Sequence, residues 1–181
     1  MVELGRLITA MITPFDEGGK VDYQQAKRLA NALLDSGSDG LVVTGTTGEG
    51  PTLSDEEKIR LYAEVKEAIG DRGAVIAGTT DNNTAKSIEL SIEAEAAGAD
   101  AILMTVPAYN KPPQEGLYQH FKSIAANTNL PGVLYNVTSR TSLNMSHETT
   151  IKLSQIDNIV GIKEAGSDLD QIARIIEGTE K

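Results

Sequence analysis

Six short apolar runs recur along the chain. Each is followed by a polar loop and then by a longer stretch of helical period, and this alternation limits the possible folds more than any other feature. The runs cover residues 7–12, 41–44, 74–77, 101–104, 132–135 and 159–163. They are continuous rather than alternating, which marks strands buried on both faces, as in a parallel sheet covered by helices. The intervening segments carry helix signals. Ala26, Leu29, Ala30, Leu33 and Leu34 make an apolar stripe that Gly37 stops. Ser54 with Glu57 three positions on forms a capping box. Further helices are expected from Thr84, Gln114, Ser146 and Asp168.

Regular β-α alternation leaves two architectures, a doubly wound sheet or a (β/α)8 barrel. A dinucleotide-binding sheet wants Gly-x-Gly-x-x-Gly after its first strand. That loop here reads Thr13-Pro14-Phe15-Asp16, so the barrel is the better reading. A complete (β/α)8 barrel takes about 250 residues. The 181 residues here supply about six βα units. The expectation is one domain, 1–181, forming a TIM barrel truncated to six units, with unpaired edges on the first and sixth strands.

The formal net charge of −10 argues against a nucleic-acid or anionic-membrane partner. The absence of cysteine removes disulfides and thiolate metal sites. No apolar run approaches the roughly 18 residues that span a bilayer. Residues 1–6 show neither the basic nor the apolar part of a leader. A cytoplasmic setting is the expectation.

In a parallel barrel the chemistry lies at the C-terminal ends of the strands. Lys163 closes the sixth run. A lysine there is costly to desolvate, and desolvation lowers its pKa and frees a nucleophilic amine. The plainer alternatives are a lysine that reaches solvent or pairs with Glu164. Tyr135 closes the fifth run, so a phenol and an amine would hang side by side on neighbouring strands about 4.8 Å apart, and a phenol there can carry protons. Gly45-Thr46-Thr47-Gly48-Glu49 follows the second run, either as a plain turn before the Ser54 helix, the commoner outcome for such a composition, or as a loop with amides and hydroxyls suited to a carboxylate. Arg140 offers a planar fork for a second carboxylate, or is a surface arginine. Tyr109 lies in the loop after the fourth run. His120 and His147 fall on expected helices with no metal-like spacing and read as structural or surface residues.

With these residues in view, the sequence resembles the dihydrodipicolinate synthase family of the N-acetylneuraminate lyase superfamily. The match rests on Gly45-Thr46-Thr47-Gly48-Glu49, on Gln114 through Phe121, on Tyr135-Asn136-x-x-x-Arg140-Thr141 and on Gly161-Ile162-Lys163-Glu164-Ala165, in family order. The resemblance implies a class I aldol condensation. Lys163 would form a Schiff base with pyruvate, and Tyr135 would donate and accept protons. Thr46 and Tyr109 would complete a relay, with Tyr109 serving a neighbouring subunit. Thr47, with Thr46, would bind the pyruvate carboxylate, and Arg140 the carboxylate of aspartate 4-semialdehyde. The product would be 4-hydroxy-tetrahydrodipicolinate, toward lysine and diaminopimelate. No metal or organic cofactor is implied, and the family assembles as a homotetramer, a dimer of dimers.

Several positions depart from the family pattern. Thr138 stands where a proline is usual, and Gly78-Thr79-Thr80 where Gly-Thr-Gly is usual. The cleft that binds inhibitory lysine in other members has Asp55, Lys58, Lys86 and Ala108 here and keeps only Asn82, which implies little lysine inhibition. The family's seventh and eighth strands and its C-terminal helical region have no counterpart. The alternatives are another pyruvate-dependent aldolase, such as an N-acetylneuraminate lyase or 2-keto-3-deoxygluconate aldolase, and a catalytically inactive barrel fragment.

Overall fold

The structure is a computed structural model and describes residues 4–180. Six strands form one parallel sheet in sequential order. They are β1 (Ile8–Ala10), β2 (Gly40–Val43), β3 (Ala74–Gly78), β4 (Ala101–Thr105), β5 (Gly132–Asn136) and β6 (Ile159–Glu164). Between and after them run α1 (Tyr23–Asp35), α2 (Asp55–Ile69), α3 (Thr84–Ala96), α4 (Gln114–Ala125), α5 (Thr138–Thr141), α6 (His147–Ser154) and α7 (Leu169–Gly178). Sequential parallel order with a helix after each strand is the arrangement of a (β/α) barrel wall. None of these helices is long and apolar enough to cross a membrane.

The helix boundaries follow their local signals. Asp22 caps α1 by accepting from Gln25 N, and Gly37 (φ +107°) ends that helix. The capping box of Ser54 and Glu57 opens α2. Asn83 caps α3, Ser146 caps α6 and Asp168 caps α7.

Burial on both faces holds for β2 to β5 and fails for the two outer strands. Every residue of β2 is buried, whereas β6 alternates between exposed and half-buried after Ile159. Among the described residues nothing pairs with the free edge of β1 or of β6. On the outer face Leu41, Val43, Val75 and Ala77 pack with Leu61, Tyr62 and Val65 of α2. Ile102, Met104 and Leu134 pack with Leu117, Phe121 and Leu153. On the inner face Val42, Ile76, Leu103, Tyr135 and Val137 make a third cluster. This alternation decides which side chains look into the barrel.

Several boundaries differ from the sequence reading, those of β2, β3 and β4 by a one-residue shift or extension. β1 is shorter than 7–12, because Pro14 and an isolated Phe15–Val21 bridge turn the chain away early. β5 and β6 each run one residue further, so Tyr135 and Lys163 are the penultimate residues of their strands. Arg140 sits on the one-turn helix α5 rather than on an open loop.

Candidate active site

The register of β5 and β6 pairs Tyr135 with Lys163 directly. Strand alternation sends both side chains to the inner face, and the Lys163 Nζ lies 4.3 Å from the Tyr135 ring centroid. Tyr135 is buried, with Leu103 and Val137 around it. Lys163 is exposed along the open flank of β6, yet desolvation still holds its amine below the ordinary lysine range. The pairing with Glu164 considered from sequence does not occur. The Glu164 carboxylate points to the other face, where Asn136 Nδ2 donates to it at 2.9 Å, Gln171 Nε2 at 3.1 Å and Gly166 N at 2.7 Å.

The Gly45–Glu49 turn is built on an unusual backbone. Thr44 takes φ 56°, a left-handed conformation that costs a β-branched residue of order 1–3 kcal/mol. The buried Tyr62 holds it there. Its hydroxyl is 2.7 Å from Thr44 Oγ1 and donates to the Gly78 carbonyl at 2.9 Å. Burial pushes the Tyr62 phenol far above its usual pKa, so it stays a neutral donor. Gly78 and Gly50 pack against the Thr44 carbonyl with no room for a Cβ. Thr13 Oγ1 donates to the Gly48 carbonyl at 2.6 Å and fixes the far side of the turn.

The turn lines one wall of a cleft of about 470 Å³ at the C-terminal ends of β2 to β5. Thr46 and Arg140 both line it, as do Lys58, Asn82 and Ala108. Leu103 and Val137 join this cleft to the cluster that holds Tyr135. The structure thus brings Thr46 to Arg140, and Lys163 to Tyr135. Thr47 is exposed beside the cleft and not in its lining. Tyr109 is 93% exposed, at φ 72°, on the loop after β4. Among the described residues no hydrogen bond joins Thr46 or Tyr109 to Tyr135.

The polar residues noted beside the cleft form a connected set. Lys86 bridges Asp55 at 2.6 Å and Glu89 at 2.8 Å, with Lys58 3.6 Å from Asp55. Hydrogen bonding to Lys86 holds the Asp55 carboxyl below its usual range. Asn82 Oδ1 accepts from Ala108 N at 2.9 Å. His120 is buried between α3 and α4, its Nδ1 2.9 Å from Thr84 Oγ1, and belongs to the scaffold. His147 begins α6 beside Glu148.

Sequence reasoning missed the roles of Thr44, Tyr62, Asn136 and Gln171. One signal was available, since Asn136 is a polar residue in an otherwise apolar strand that turns out fully buried.

Comparison with known proteins agrees with this geometry. The sequence matches the dihydrodipicolinate synthetase family over residues 3–181. It is 63% identical over 176 residues to the 4-hydroxy-tetrahydrodipicolinate synthase of Dehalococcoides mccartyi, covering 97% of this chain and 59% of that protein. The fold superposes on the crystal structure of a dihydrodipicolinate synthase from Bacillus anthracis with a TM-score of 0.98 at 49% identity, over 100% of this chain and 62% of that one. It is also similar to the enzyme of Acinetobacter baumannii, solved in complex with pyruvate (TM-score 0.93, 40% identity, 98% of this chain and 62% of that chain). The chain therefore spans about three-fifths of the length of the relatives it matches. With six parallel βα units, the paired Tyr135 and Lys163 and a match along nearly its whole length, the chain belongs to the dihydrodipicolinate synthetase family.

Proposed function

We propose that the chain carries the Schiff-base half of a pyruvate-dependent aldol reaction. The observation that carries this reading is the Tyr135–Lys163 register, which sets an amine whose pKa partial desolvation lowers against a phenol on the barrel's inner face. The Lys163 amine, once deprotonated, attacks the keto carbon of pyruvate, and the carbinolamine loses water to give the imine. Loss of a methyl proton gives the enamine, whose carbon adds to the aldehyde of aspartate 4-semialdehyde. Tyr135 is the group placed to move the protons of these steps. Attack of the semialdehyde's own amine on the imine carbon closes the ring and releases Lys163, giving 4-hydroxy-tetrahydrodipicolinate. Arg140 on the cleft wall suits the semialdehyde carboxylate, and Thr46 and Thr47 the pyruvate carboxylate.

The exposed Tyr109 suits a role in a neighbouring subunit, which supports a homo-oligomer; the working form in this reading is a dimer of dimers in the cytoplasm. The domain reading remains a six-unit portion of the barrel across 1–181. The open flank of β6 and the unjoined hydroxyls favour one competing reading, an inactive barrel portion.

Borohydride separates the two. Treating the folded chain with pyruvate and borohydride is expected to leave a carboxyethyl group on Lys163, read by peptide mass spectrometry. A folded chain that carries no such group is the inactive portion.

A further inference from the structure

Behind the sheet, opposite Lys163, lies a half-buried polar network that the aldol reading does not use. Asn136 follows Tyr135 on β5 and is fully buried. Its Oδ1 accepts from Met145 N at 3.0 Å, and its Nδ2 donates to Asn144 Oδ1 at 2.8 Å and to both Glu164 oxygens, at 3.1 and 2.9 Å. Glu164 follows Lys163 on β6 and also accepts from Gly166 N and Gln171 Nε2. Gln171, buried on α7, accepts from Asn144 Nδ2 at 2.8 Å. Every donor to this carboxylate is a neutral amide.

We propose that Glu164 is a positioning residue for the Lys163 amine, tying the ends of β5 and β6 together from behind so that Lys163 stays against Tyr135. Strand alternation puts Glu164 on the face opposite Lys163, so it acts through the backbone and never meets substrate. The Asn136 amide cannot turn over to suit another partner, because its oxygen is committed to Met145 N. Asn136 and Asn144 also close the base of the segment that carries Arg140. One carboxylate therefore sets the nucleophile, and the same network sets the wall that would receive the second carboxylate. β6 needs such a tie, since among the described residues only β5 pairs with it. Hydrogen bonds to an ionised carboxylate are about twice as strong as neutral ones.

The inference rests on the aldol reading, and its test has one readout that does not. Glu164→Gln keeps the shape but turns an amide donor toward Asn136 or Gln171. The pH dependence of Lys163 acetylation by trace acetic anhydride reports the amine's own pKa, with no pyruvate present. In the folded variant that pKa should return toward the ordinary lysine range. The rate of borohydride-trapped pyruvyl adduct should fall by about tenfold or more, as expected for a displaced nucleophile. A folded Glu164→Gln chain with the parent's acetylation profile overturns the proposal. If the parent itself traps no pyruvate, the aldol reading fails while the acetylation profiles still decide this one.

Discussion

Gly78→Ala tests whether the Gly45–Glu49 turn is held by close backbone contact. A Cβ at residue 78 would stand 2.7 Å from the Thr44 carbonyl oxygen, 2.9 Å from its carbon and 3.1 Å from Gly45 N. These are all backbone atoms, so no side-chain rotation relieves the clash, and the turn must withdraw by roughly 0.7 Å to bring the oxygen to ordinary contact. Overpacking of this kind costs about 1–3 kcal/mol. The same movement pulls Thr44 from the Tyr62 hydroxyl and the Gly78 carbonyl, at about 1 kcal/mol per hydrogen bond. The expected loss is about 3–5 kcal/mol, a large share of the ~5–15 kcal/mol that holds a domain folded. Urea unfolding followed by far-UV circular dichroism measures it as a lower midpoint at unchanged slope. Tyr62→Phe removes the hydroxyl without adding a clash and should cost about 1–2 kcal/mol. A Gly78→Ala chain within about 0.5 kcal/mol of the parent would refute the close-contact argument.

Three further outcomes are expected. Arg140→Ala should leave borohydride trapping of pyruvate nearly unchanged while lowering kcat/KM for aspartate 4-semialdehyde by about 10- to 100-fold, the worth of a charged hydrogen bond; equal losses in both assays would remove Arg140 from the acceptor side. Burial lowers the His120 pKa and leaves its Nε2 without a hydrogen-bond partner, so the folded chain resists a proton that the unfolded chain takes at about pH 6.5. Stability is then full above about pH 6.5 and falls as pH drops below it, a slope that urea titrations should show and that His120→Asn should flatten. Free lysine should not inhibit turnover, because Asp55 is already paired with Lys86, and a bound ammonium would meet the like charges of Lys58 and Lys86. Half-inhibition by sub-millimolar lysine would contradict this.

The sequence by itself determined the order of strands and helices, their caps and the parallel class of the sheet. Each rests on interactions within a few residues, such as Ser54 with Glu57 or the φ of Gly37, or on continuous apolar runs such as Leu41–Val43. It also placed Tyr135 and Lys163 near the ends of adjacent strands. The tertiary structure decided what those positions amount to. It showed that among the described residues β1 and β6 are less buried than the strands between them, that the loop around Arg140 winds into a helical turn, and that Glu164 turns away from Lys163 toward Asn136, 28 residues earlier. Contacts across such separations follow from strand register and from the face each side chain takes, and neither is encoded in neighbouring residues. Whether a lysine is dry, and which carboxylate stands behind it, are therefore properties of the folded chain.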